Sequence, residues 1–143
     1  MKKLILISAL LLFGSNGWAE DKMIDLENYI LSNNMEDPAI ASYVSQRCAA
    51  LYLYSAELLN DKADLRDEYF LNSTILLNVA IDFFYRVNKN RVEAEKSVEE
   101  NMYFMRDNYW EQSNKHYKLN GMYRSEQIKS DLDSCKLFAE ALF

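Results

Sequence analysis

Helix breakers are almost missing from this chain. Its 143 residues hold three glycines and one proline, and two of the glycines, Gly14 and Gly17, fall in the first nineteen positions. Beyond them only Pro38 and Gly121 punctuate the sequence. Strands need frequent turns built from such residues, whereas uninterrupted stretches rich in Leu, Ala, Glu and Tyr favour helix. The expected fold is therefore all-α: a helical bundle of four long helices plus a short N-terminal helix.

The helices can be placed from caps and apolar periodicity. A short first helix is expected from Asp21 as cap through MIDLENYILSN, with Met23, Leu26, Ile30 and Leu31 inward. Asp37 followed by Pro38 starts a second helix, because the carboxylate can cap and proline's missing N–H costs nothing in a first turn. Its apolar stripe runs Ile40, Val44, Cys48, Leu51, Ser55 and Leu58, at helical spacing. A third helix, near 64–87, contains ILLNVAIDFFY (75–85), which reads as the central, nearly surrounded core helix. Asn78, Asp82 and Arg86 form a narrow polar seam on it, expected to face water with Asp82 and Arg86 as an i,i+4 pair.

Asn90 and Glu93 have the spacing of a capping box, and Asn120-Gly121 supplies a left-handed stop, so a fourth helix spans about 90–119. Its inward stripe is Val98, Met102, Met105, Tyr109, Gln112 and His116. A fifth begins near Ser125 and turns Ile128, Leu132, Cys135, Phe138 and Leu142 inward.

Residues 1–19 have the pattern of a signal peptide. MKK is a basic start, Leu4 to Phe13 an apolar core, and Gly17 and Ala19 the small residues before a cut at Glu20. A ten-residue core is too short for a membrane anchor, which needs about 20 apolar residues to cross about 30 Å of hydrocarbon. The mature chain is then a single helical domain, 20–143, placed in the periplasm or secreted, with no stable membrane span. Without Lys2 and Lys3, 14 basic side chains face 22 acidic ones, a net charge of −8. Such acidity disfavours nucleic acid and anionic membrane surfaces and suits a basic partner.

Two cysteines, Cys48 and Cys135, are far apart in sequence and belong to no C-x-x-C motif. With His116 as the sole histidine, they cannot complete the usual four-ligand zinc site. An oxidising compartment, an even count and inward positions on two helices point instead to a disulfide stapling the second helix to the last. Closing a loop with a sequence separation of 87 stabilises by roughly 4 to 5 kcal/mol in the chain-entropy model.

Other chemistry finds little support. His116, beside Lys115 and Lys118 at a helix end, suits the dipole there, and six methionines at helical spacing read as core filler. A haem would need His116 with Met102, Met105 or Met122, and a di-iron site needs Glu-x-x-His, whereas position 113 is Ser. Glu99-Glu100, Asp131-x-Asp133 and Asp64-x-x-Asp67-Glu68 read as solvated faces. Asn72-Ser73-Thr74 matches a glycosylation triplet but falls mid-helix. No nucleophile-elbow, metalloprotease, calcium-loop or phosphate-loop motif occurs. No cofactor, metal or enzymatic activity is expected.

Ten tyrosines are the compositional surplus. Tyr52 and Tyr54 lie about 200° apart around a helix, so one is expected near water. Tyrosine is favoured at interfaces because it gains area at low entropic cost. The expected function is therefore binding, as an inhibitor, immunity or accessory factor touching a protein of the envelope through Tyr103, Asp107, Trp110 and Glu111. A stress chaperone or small-ligand-binding bundle is the alternative, with a motif-less enzyme behind both. The staple is checked directly: the denatured, unreduced protein should show no reactive thiol and the reduced protein two, and two thiols before reduction would contradict it.

Overall fold

The computed structural model describes residues 23–143, so the expected signal peptide, 1–19, and the cap expected at Asp21 lie outside the described residues. Five helices follow in order: α1 (Leu26–Ser32), α2 (Pro38–Leu58), α3 (Ala63–Asn88), α4 (Arg91–Asn120) and α5 (Glu126–Leu142). The all-α expectation holds, with no strand among the described residues. Most of the expected caps form. Asp37 accepts from the Ala39 N–H, Asn90 from the Glu93 N–H and Ser125 from the Ile128 N–H. Gly121 closes α4 at φ 71°, the left-handed region that side chains disfavour. The first helix departs from expectation: Asp25 is its cap, and Leu31 is 77 % exposed rather than inward.

The central helix is α2, not the apolar stretch 75–85. Cys48, Ala49, Ala50, Leu51, Tyr54, Ser55 and Ala56 are all fully buried, so α2 is covered on every side. The reason is size. Small residues spread around α2 let neighbouring backbones approach closely, which the bulky side chains of α3 do not allow. Hydroxyl groups then bond across the seam, Ser42 to the Ala80 carbonyl at 2.8 Å and Ser73 to the Ala49 carbonyl at 2.7 Å. On α3 only Ser73, Leu76, Ala80 and Ile81 are buried, while Ile75, Tyr85 and Val87 face water. Its polar seam is exposed as expected, but Asp82 pairs with Arg91 across the α3–α4 turn instead of with Arg86, which sits over the Phe83 ring.

Encirclement also resolves the tyrosines of α2. Tyr52 and Tyr54 do point apart, yet both are buried. Tyr52 packs on Tyr69 with ring centroids 5.6 Å apart, and Tyr54 meets Trp110 edge-on at 4.9 Å. The Tyr54 hydroxyl shares a 2.6 Å hydrogen bond with Ser113, whose own hydroxyl lies 2.8 Å from the Tyr123 carbonyl. Met102 and Met105 are core, and Gln112 and His116 are only half-buried because Ser113 takes the inward position.

α2, α3 and α4 pack broadly on one another, whereas α5 makes a narrower contact with α1 and α2. Two devices attach it. One is the disulfide Cys48–Cys135, with Cα atoms 5.4 Å apart, as the sequence predicts. The other contradicts the solvated reading of Asp131, which is fully buried. Its Oδ2 accepts from Arg47 Nη2 at 2.7 Å and from the Tyr109 hydroxyl at 2.7 Å, and its Oδ1 accepts from the Leu26 N–H at 2.9 Å. Arg47, also fully buried, donates through Nη1 to the Ile24 carbonyl, and only its Nε lacks a protein partner. One carboxylate thus joins α1, α2, α4 and α5.

Burial drives the Tyr109 hydroxyl's pKa well up, with Asp131 reinforcing and Arg47 opposing, so it stays a donor. Burial alone would weaken the Arg47 charge, but Tyr109 and Asp131 outweigh it and the guanidinium stays protonated. Removing one partner of a buried pair strands the other charge and costs about 3–5 kcal/mol, whereas replacing both by apolar groups is often neutral or stabilising. Arg47→Met and Asp131→Leu should each lower stability by about that much, while the double variant loses clearly less than the sum. Urea unfolding of the oxidised proteins measures this, and additive losses would contradict a coupled pair.

Candidate functional site

The most chemically charged cluster, around Asp131, is closed. Arg47, Tyr109 and Asp131 have no appreciable exposure, and every group but Arg47 Nε is engaged within the protein. A substrate would have no route to it, so it is structural.

The sequence-predicted contact face lies on α4 and is brought together only in part. Tyr103, Asp107 and Glu111 recur at i, i+4 and i+8, which places them on one exposed strip. Trp110 instead turns inward, donating from Nε1 to Glu57 on α2 at 2.6 Å. Arg106 lies 5.1 Å from the Tyr103 ring and binds both Asp107, at 2.7 Å, and Glu57, at 3.0 Å. Glu111 accepts from Lys115 at 2.7 Å. The acids of this strip already have basic partners, and its largest aromatic is committed to the fold.

Two concavities lie elsewhere. A mixed cleft of about 480 Å³ opens between α3 and α5. Arg124, Lys129 and Lys136 line it, but Glu68 and Asp133 face the same space, so its charges largely cancel. It continues past Tyr52 and Asn72 into a smaller hollow of about 240 Å³ beside Ile75, Ala139 and Phe143, where Glu140 adds a further acid. No group of three or more His, Cys, Asp or Glu side chains among the described residues is placed to hold a metal ion.

The other concavity is an open groove of about 500 Å³ on the opposite flank of α5. Its lining is almost wholly apolar. Ile30 and Leu31 of α1 form one wall, and Leu137, Phe138, Ala141 and Leu142 of α5 form the other. Met35, Ala41 and Phe83 make its end and floor. Among the described residues, Glu27 is the single charged lining residue and Ser134 supplies the only hydroxyl. The groove lies between α1 and α5, beside the points at which both pack on the core. Leu31 at 77 % and Leu137 at 67 % exposure stand at its rim. Together with the groove lining they form a contiguous apolar surface.

The sequence reading placed Leu31, Phe138 and Leu142 inward and so found the apolar character of this region without its openness. Leu137 was missed; it lies just off the stripe, next to Phe138. No helix among the described residues is long and apolar enough to cross a membrane. No protein-family model, curated protein or solved structure matches the chain.

Proposed function

We propose that this chain is a small helical binding protein of the periplasm or extracellular space, acting as an inhibitor, immunity or accessory factor by non-covalent contact. The observation that carries the reading is the groove between α1 and α5: about 500 Å³, apolar, open, and rimmed by exposed leucines. That volume falls within the ordinary range for ligand sites, about 300–1,000 Å³. The disulfide and the signal-like residues 1–19 support an oxidising compartment. Catalysis is disfavoured because the groove offers one carboxylate and one hydroxyl with no base or nucleophile pair. Carriage of a small apolar molecule is the second reading, favoured by the same volume and lining.

A photo-crosslinker placed at position 137 should trap a guest in extract of the producing cell's envelope, and the Leu31→Asp change should abolish that product. The same reagent at the exposed position 104 of α4 should give none. Trapping from position 104 but not from 137 would move the binding face to α4 and overturn the assignment of the groove.

A further inference from the structure

The groove's shape and its one charge narrow the guest further. The α5 wall runs from Ser134 to Leu142. Its eight steps from residue to residue, at about 1.5 Å each, make a trough about 12 Å long. A helix that buries side chains at i, i+3 or i+4, and i+7 needs about 10 Å, so three anchors fit and a longer apolar run does not. Both walls are helices, and a third helix laid between them would complete the packing that α1 and α5 leave unfinished.

Charge decides among guests that could fill an apolar trough. Glu27 lines the wall, and Glu36 follows Met35 at its end. Arg86 is occupied over Phe83 from outside the lining set. A fatty acid or other anionic amphiphile would therefore bring its head group to a carboxylate with no lining cation among the described residues to receive it. A second copy would bring like charge against like, a net −8 against −8 over residues 20–143. A basic partner meets neither penalty.

Resting on the groove as the binding site, we infer that it receives an amphipathic helix of a partner protein, with apolar anchors at i, i+3 or i+4, and i+7 and with lysine or arginine flanking them. Glu27 faces that basic flank, and Leu31 and Leu137 close over the anchors. The acidity of the whole domain steers such a helix toward it.

The test uses two labelled helical peptides of about 14 residues with identical leucine anchors, one flanked by lysines and one by glutamates. Fluorescence anisotropy with the oxidised protein should show the lysine peptide binding at least roughly tenfold tighter than the glutamate peptide. Leu137→Asp should abolish binding of the lysine peptide, although that change makes the protein more acidic, and Glu27→Gln should narrow the preference. Far-ultraviolet circular dichroism confirms that both variants fold. Equal binding of the two peptides, or a lysine peptide indifferent to Leu137→Asp, would overturn the inference. Binding of dodecanoate with neither peptide bound would also overturn it while leaving the groove as a site. If neither peptide nor dodecanoate bound, the groove assignment would fall too.

Discussion

The attachment of α5 depends on one buried carboxylate. Asp131 receives Arg47 from α2, Tyr109 from α4 and the backbone of Leu26 at the start of α1. Without those donors, burying a charge would cost several kcal/mol. With them, the carboxylate dictates where three other helices must lie, because each donor has a fixed reach and direction. An apolar contact at the same place would tolerate sliding; this one does not. Cys48 follows Arg47 directly, and Cys135 lies one turn after Asp131, so the disulfide and the ion pair fix the same two helices at neighbouring levels.

That double anchor substitutes for area. The small residues of α2 bring α3 close, and hydroxyl-to-carbonyl bonds lock the pair. The last helix has no such backbone contact and packs on the core through Ile128, Leu132 and Phe138, with a groove left beside α1. A helix held by breadth of packing would fill its own flank with side chains. Beyond those contacts, α5 presents Leu137 sideways at the rim of the trough. The groove is thus a consequence of how the fold is fastened.

Much of this was legible from residues alone. Pro38, Asn90, Ser125 and Gly121 act through local backbone chemistry, which needs no tertiary context, and they bound three of the four long helices within a residue or two. The staple followed from count and position. What was not legible was relational. Asp131 sits in a chain of acids, DLD, whose composition says solvent, and its burial depends on an arginine 84 positions earlier. Tyr52 and Tyr54 looked irreconcilable because a helix was assumed to have one buried face, an assumption that fails for a helix surrounded by others. The weight of apolar residues in 75–85 suggested the centre, but centrality here follows from smallness in α2. Of the groove only the apolar character was legible, since it lies between two helices and periodicity reports only which side chains are apolar.

The claim that Asp131 latches α1 and α5 to an otherwise self-sufficient core is tested most directly by native-state hydrogen exchange on oxidised Asp131→Asn. Amides of α1 and α5 should lose protection together while those of α2, α3 and α4 keep most of theirs, since exchange follows local opening. Loss of protection spread evenly over all five helices, or confined to the neighbourhood of residue 131, would contradict it.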